Sequence, residues 1–521
     1  MKPFTIVISY RPGTFFEKSL DFLMKSSLVE RAVIVNEEPV RFKMERCQVF
    51  VGGPLLWNKT LRRILSGIQT KYLLLFPGGQ RIRVEPVALE RILGKAESTK
   101  AGFVYSDFYE KSKSGKTLHP LNDYQLGSAR DDFDFGAMFL YSVSAIRKAL
   151  KQYGPTRDLK FAGLYDLRLK VSIDHSVYHL REPLYSGIRT NPSASDKMFA
   201  YVEPRNKAAQ REMEIVFTDY LKKIGAYVST RRLRDVGESR KPFAVDASII
   251  VPVRNREKKI TEAVKSALSQ KTDFSFNIIV VDNHSIDGTT TILSDLAKKY
   301  PHLKHVVPER TDLGIGGCWN EALHHEACGR YAVQLDSDDL YSSPHTLQKM
   351  VDMLRQGNYA MVIGSYTLVD SELKKIPPGV INHREWTDEN GHNNALRING
   401  LGAPRAFNTG VMRRIKFLNV SYGEDYAAAL RICREYRIGR IYDSLYLCRR
   451  WSGNTDAALS IEERNRNDAF KDKIRTAEIL ARQKMNQGKA PLILPLSLRG
   501  ERAGRGGKLS GRRRHYQTED L

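Results

Sequence analysis

Gly329-Arg-Tyr-Ala-Val-Gln-Leu-Asp-Ser-Asp-Asp339 is an apolar run that ends in three carboxylates. Tyr331 to Leu335 reads as a buried strand, and Asp336, Asp338 and Asp339 fall where that strand stops. Carboxylates held this close repel unless a cation neutralises them. A hard divalent ion with oxygen ligands does so, and such ions bridge carboxylates to substrate phosphates. Taken alone the stretch has two readings, a solvated acidic turn or a metal site. The flanking sequence separates them.

Upstream, Ser248–Val253 is nearly all apolar and is followed by the polar loop Arg254-Asn-Arg-Glu-Lys-Lys259. Ile260, Ala263, Val264, Ala267 and Leu268 then mark one face of a helix. A second strand, Ile278–Val281, runs into Asp282-Asn-His-Ser-Ile-Asp-Gly-Thr289, and Ile292, Leu293, Leu296, Ala297 and Tyr300 mark another helical face. Alternating strands and helices predict a parallel sheet with right-handed crossovers. Ligands bind such sheets beyond the carboxyl ends of the strands, where all three polar loops lie.

The chain also reads as the same order of elements written twice. Phe4–Arg11 corresponds to Ala247–Arg254, Arg31–Asn36 to Asn277–Asp282, Lys71–Pro77 to Arg330–Asp336, Ala101–Ser106 to Ala360–Ser365, and His179–Tyr185 to Ile441–Leu447. Amphipathic helices near 205–224 and 462–485 close the two halves. The first half has Asn36 for Asp282, and Pro77, Gly79 and Gln80 for Asp336, Asp338 and Asp339. It is expected to keep the fold and to lack the acidic chemistry.

Four motifs stand in order: Val251-Pro-Val-Arg-Asn255; Val280-Val-Asp-Asn-His-Ser285 with Asp287-Gly-Thr289; Gly314-Ile-Gly-Gly-Cys-Trp-Asn320; and Leu335-Asp-Ser-Asp-Asp339. Together they resemble family 2 glycosyltransferases over residues 246–455. The resemblance implies an α/β GT-A fold, a nucleotide-sugar donor with a UDP-sugar first in line, a divalent metal (Mn2+ or Mg2+), and inversion at the anomeric carbon. It places Pro252, Val253, Arg254, Glu257, Asp282, Asn283, Ser285, Asn320, Asp336, Arg450 and Trp451 at the donor, and Asp338 with Asp336 at the metal. Asp339 either supports the metal ligands or caps the next segment. Tyr422-Gly-Glu-Asp-Tyr426 resembles the family's Glu-Asp signature, which implies Asp425 as base with Glu424 beside it. First-turn acids favoured by the helix dipole are the other reading. Cys448-Arg-Arg-Trp451 is similar to part of a processive-synthase signature, but Leu447 replaces its Gln and no membrane helices accompany it. Arg254 and Asn283 depart from the family at the expected base pocket. The polar stretch Gly391–Gly400 reads as a long loop, with His392 either a metal or diphosphate contact or a solvated loop residue.

The expected organisation is a degenerate glycosyltransferase-like domain at 1–190, a helical linker at 191–243, a catalytic GT-A domain at 244–455, a closing helix at 456–487 and a basic disordered tail at 488–521. A chain of 521 residues calls for more than one core, and 41% apolar with 27% charged residues is ordinary for a soluble protein. Five scattered cysteines predict reduced thiols. The short apolar run at Phe4–Tyr10 reads as a strand rather than a secretion signal, so a cytoplasmic protein is expected. The net charge of +24 is spread along the chain and concentrated in the Gly/Arg-rich tail. That tail would suit a peripheral contact with anionic lipid at the inner face of the cell membrane; nucleic acid is not an expected partner. The acceptor implied is a glycan or lipid-linked glycan of the cell envelope. A nucleotide-sugar-binding scaffold without catalysis is the alternative. A nucleotidyltransferase would need a glycine-rich triphosphate loop, and Val251-Pro-Val-Arg-Asn-Arg256 has no glycine.

Overall fold

A computed structural model describes residues 2–78, 81–112, 115–154, 158–188, 206–237, 242–398, 402–451, 454 and 459–489. The expected tail therefore lies outside the described residues from 490 onward, as do Gly79, Gln80 and most of the start of the expected linker. The chain forms two compact units, Met1–Tyr227 with Leu396–Asn399 and Ala458–Ile479, and Val228–Ala395 with Gly400–Ala457 and Leu480–Leu521. The helix expected in a linker, Lys207–Lys223, thus belongs to the first unit, and the closing helix Ile461–Asn486 is shared between them. No described helix is long and apolar enough to cross a membrane.

The first unit is built on β1 (Phe4–Ser9), β2 (Val29–Asn36), β3 (Cys47–Val51), β4 (Tyr72–Phe76), β5 (Phe103–Ser106), β6 (Phe139–Ser142) and β7 (Val177–Leu180). Across the sheet they run β3-β2-β1-β4-β6-β5-β7. Only β6 is antiparallel to its neighbours. β4 is buried along its whole length, because helices cover both faces of a parallel sheet.

The second unit repeats this plan with β8 (Ala247–Val253), β9 (Phe276–Asp282), β10 (Leu303–Val306), β11 (Tyr331–Gln334), β12 (Met361–Val369), β13 (Arg405–Asn408) and β14 (Ile438–Arg449). The order is β10-β9-β8-β11-β13-β12-β14, and only β13 is antiparallel to its neighbours. In these seven strands the two sheets match in order and direction; the second sheet also carries two further antiparallel strands, Leu340–Tyr341 on β14 and Lys375–Ile381 on β12. Details match as well: the helices after β6 and β13 are capped by Ser142, which accepts from Ala145 N–H, and by Asn408, which accepts from Val411 N–H. The late strand differs. β14 continues past a register shift to pair with all of β12, whereas in the first unit Tyr185–Ile188 leaves β7 and joins a separate four-stranded sheet.

The stretch after Gly391, expected as a loop, starts with the short helix Gly391–Asn394. His392, Asn393 and Asn394 are buried there. His392 Nε2 lies 2.7 Å from the Val228 carbonyl, and burial lowers its pKa to about 4. It is a neutral structural histidine, neither a metal ligand nor a solvated one. The cysteines are free thiols.

Candidate active site

The acidic turn forms because β11 ends at Gln334 and the chain reverses before Leu340 can pair with Leu447 on β14. Tyr446 anchors its start, its hydroxyl accepting from Asp336 N–H at 2.8 Å, and Tyr341 donates its hydroxyl to the Gln334 carbonyl. Asp339 accepts from the Arg449 backbone N–H at 2.7 Å. The buried Arg449 guanidinium bonds to Glu262 and to the Asp338 carbonyl. The Asp338 carboxylate receives Trp451 Nε1–H at 3.0 Å and lies 3.5 Å from Arg256 Nε. Loop residue Arg256 after β8 and Trp451 after β14 thus converge on the turn, as strand ends on one edge of a parallel sheet should.

The carboxylates remain short of positive charge. Burial, then the charges of Asp338 and Asp425, raise the Asp336 pKa despite hydrogen bonds from Gln334 and attraction to Arg405. Burial, then Asp336 and Asp338, raise that of Asp339 well above the carboxylate range. A divalent cation fits such a surplus of negative charge. Among the described residues no group of three or more His, Cys, Asp or Glu could hold a metal. Asp336 and Asp338 would share that work with substrate phosphates, a common arrangement for magnesium-like ions.

Glu424 and Asp425 open the helix Glu424–Glu435 behind Gly423, whose φ of 77° suits glycine. Gly316 brings this segment close. A Cβ there would lie 1.9 Å from the Leu418 carbonyl oxygen and 2.9 Å from Glu424 Cβ. The glycine motif thus serves packing beneath the Glu-Asp pair. Asp425 is ion-paired with the buried Arg405. Arg405 Nε and its backbone N–H both donate to Gln334 Oε1, at 3.0 and 3.2 Å, and Gln334 Nε2 donates to Asp336 at 3.0 Å. One polar chain therefore joins Asp425 to the acidic turn. Glu424 Oε2 is buried without a hydrogen-bond partner, and burial plus the Asp425 charge push its pKa up to about 8.

The remaining expected donor residues divide. Pro252 and Val253 end β8, and the exposed Arg254 follows. Ser285 Oγ accepts from Asn255 N–H, Asn255 Oδ1 accepts from Ile286 N–H, and Glu257 accepts from Gly288 N–H. These bonds staple the two strand-end loops together. Asp282 is fully buried, its carboxylate receiving Ser285 N–H and Thr290 Oγ–H, with His305 Nε2 at 3.5 Å. Burial raises its pKa, but bonds from His305, Ser285 and Thr290 outweigh that and hold it below the usual range. Asn283 donates to the Leu313 carbonyl and leaves Oδ1 buried without a partner. Asn320 bonds to the Phe417 backbone through both its amide nitrogen and its oxygen, at 2.9 and 3.0 Å. Arg450 N–H bonds to the Val369 carbonyl and extends the sheet edge.

Sequence reading passed over Gln334, Arg405 and Arg256. Gln334 carried a usable signal, since a polar residue inside Tyr-Ala-Val-Gln-Leu must find a buried partner. Arg405 carried none until the fold paired β13 with β11.

The family model for glycosyl transferase family 2 matches residues 248–417. These residues are a family 2 glycosyltransferase domain. Among curated relatives, the putative glycosyltransferase EpsE of Bacillus subtilis is 32% identical over 125 residues, 24% of this chain and 44% of the relative. A GalNAc(5)-diNAcBac-PP-undecaprenol β-1,3-glucosyltransferase of Campylobacter jejuni is 32% identical over 126 residues, 24% of this chain and 39% of its own. The minor teichoic acid biosynthesis protein GgaB of Bacillus subtilis is 36% identical over 103 residues, 20% of this chain and 11% of that one. The matches thus span under half the length of these relatives. Among solved structures, S. aureus TarS 1–349 with UDP-GlcNAc is 23% identical at a TM-score of 0.35, covering 46% of this chain and 73% of that one. Mannosyltransferase PcManGT from Pyrobaculum calidifontis, in complex with GDP-Man and Mn2+, is 19% identical at a TM-score of 0.33, covering 57% and 78%. The glycosyltransferase domain spans β8 to β13 and the acidic turn, and Asp425 lies just beyond it.

Proposed function

We propose that the second unit transfers a sugar, with inversion, from a nucleoside-diphosphate sugar to a glycan or lipid-linked acceptor of the cell envelope. The observation that carries this is the polar chain Asp425–Arg405–Gln334–Asp336, which ties a candidate base to the turn that would receive the donor diphosphate. Asp425 is partly exposed, so an acceptor hydroxyl can reach it, and Arg405 keeps its carboxylate oriented. Asp425 takes the hydroxyl proton as the acceptor oxygen attacks the anomeric carbon and the nucleoside diphosphate leaves from the opposite face. Asp336 and Asp338 would hold a divalent ion, which when bound neutralises charge on the leaving diphosphate. Trp451 and Arg256 position the Asp338 carboxylate from two sides. Two relatives, a teichoic acid biosynthesis protein and an undecaprenol-linked glucosyltransferase, support a cell-envelope acceptor. UDP-sugars are the first donors to test. On this reading the enzyme works at the cytoplasmic side of the membrane, with the basic tail as a peripheral contact.

The first unit is, on the same reading, a duplicated copy without donor chemistry. At the end of β4, Leu75 pairs with Phe139. The residues at that register in the second unit are Gln334 and Arg405, one step past the Val333–Ala406 pair. Two apolar residues thus replace the polar chain. Asp166, near the place of Asp425, is buried in an ion pair with Lys170 at 2.7 Å.

The test is to titrate UDP and a panel of nucleotide sugars against the full chain, with Mn2+ and with excess chelator. Metal-dependent binding of one equivalent, and release of a nucleoside diphosphate with an acceptor present, are expected. Equal binding with and without metal would remove the roles given to Asp336 and Asp338.

A further inference from the structure

One cavity lies away from the acidic turn, at the other end of the same strands. It holds about 450 Å3, and its wall includes Tyr359, just before β12, and Ile438, the first residue of β14. β12 and β14 run parallel to each other, and β14 meets the acidic turn at its far end, from Tyr446 to Arg449. Roughly 30 Å of strand separates the two places.

Three guanidinium groups, from Arg231, Arg437 and Arg440, line this cavity together with the rings of Tyr359 and Tyr436. Arg440 stands out. Its side chain is 7% exposed, its Nε is buried without a hydrogen-bond partner, and its counter-ion Asp388 is 81% exposed. Arg437 pairs with Asp235, also exposed, and lies 5.4 Å over the Tyr359 ring. Gly439 makes room for that ring, since a Cβ there would come within 2.5 Å of it. The neighbouring His392 is spent on the Val228 carbonyl and adds no charge. Glu389 also lines the cavity and is exposed. Arg440 is thus anchored in the wall while its carboxylate partner is solvated, screened and easily displaced, and the exposed Arg231 and Arg437 add charge at the rim.

We propose that this cavity binds a monosaccharide phosphate, at a site separate from the acidic turn. Arginine forks match the planar pairs of phosphate oxygens, and Arg440 Nε supplies a donor that nothing in the described residues accepts. The volume is of the size that small-ligand sites have and far exceeds one phosphate ion. Tyr359 offers apolar ring surface to a sugar, and Thr387 and Glu389 offer oxygen atoms to its hydroxyls. The phosphate takes over the place of the Asp388 carboxylate on Arg440.

The test is calorimetry on the full chain with chelator present, using glucose 6-phosphate, glucose and inorganic phosphate as probes. Glucose 6-phosphate should bind saturably and at least about tenfold more tightly than either other probe. Arg231→Gln, an exposed change that spares folding, should weaken it about tenfold, and Asp388→Asn should tighten it several-fold. Asp338→Asn should leave it unchanged. Equal affinity for all three probes, no response to Arg231→Gln and Asp388→Asn, or loss on Asp338→Asn would each overturn the assignment. No readout here is sugar transfer, so failure of this site would leave the transferase reading as it stands.

Discussion

Replacing Arg405 by Leu and Gln334 by Leu, singly and together, probes the polar chain under the proposed site. Arg405→Leu strips Gln334 Oε1 of the Nε donor and leaves Asp425 without its cation. Breaking a buried pair from one side costs about 3–5 kcal/mol. Asp425 is 31% exposed and regains water, so about 2–4 kcal/mol is expected. Gln334→Leu leaves Arg405 Nε and its backbone N–H without their acceptor and frees Asp336 from its amide donor, for about 1–3 kcal/mol. The double variant removes donor and acceptor of the shared bond at once, approaching the Leu75–Phe139 solution of the first unit. It should cost less than the sum of the singles by about 1–2 kcal/mol. A chain of two units is not expected to unfold in one step, so the assay is native-state hydrogen exchange of β11 and β13 amides such as Val333 and Ala406. Strict additivity, or a destabilisation by Arg405→Leu below about 0.5 kcal/mol, would refute the coupling. All three variants should lose transfer activity.

Asp425→Asn should keep donor affinity and lower turnover by about 10²–10⁴-fold, measured as nucleoside diphosphate release; parental turnover would place the base elsewhere. Glu424, with its pKa raised to about 8, is neutral at pH 7, so its contribution to stability is full below about pH 4.5 and is lost as pH rises through 8. Glu424→Gln should flatten the fall in stability between about pH 4.5 and 8, and an unchanged slope would contradict the assigned protonation. A fragment ending at residue 240 should fold poorly. It lacks the fully buried Asp472, which accepts from Arg130 at 3.0 Å and Ser128 at 2.9 Å, and its loss should cost about 3–5 kcal/mol. Adding residues 458–489 in trans should restore protection of the 126–130 segment, and a fully protected fragment without them would show that the first unit is complete alone.

Strand and helix order were legible before the structure, because apolar periodicity along the chain directly reflects which faces are buried. The runs at 248–253, 277–282 and 331–335 could only be buried strands, and the acidic turn had to fall at a strand end. Their repetition in the first half was visible for the same reason, and the matched sheets follow it except at the late strand, where a local change of register leaves little mark on composition. The motif residues announced the chemistry, but not which of them spend their polar atoms inside the protein. Asn320 and Asp282 look like ligand contacts in a motif, yet the fold engages their side chains internally. His392 sits in a polar stretch, yet it bonds to the carbonyl of Val228, more than 160 positions away, and burial keeps it neutral. Arg405 reached the site only through antiparallel pairing of β13 with β11. Hydrogen bonds between residues far apart in sequence depend on which strands become neighbours. That is a property of the whole sheet, which no local window of residues contains.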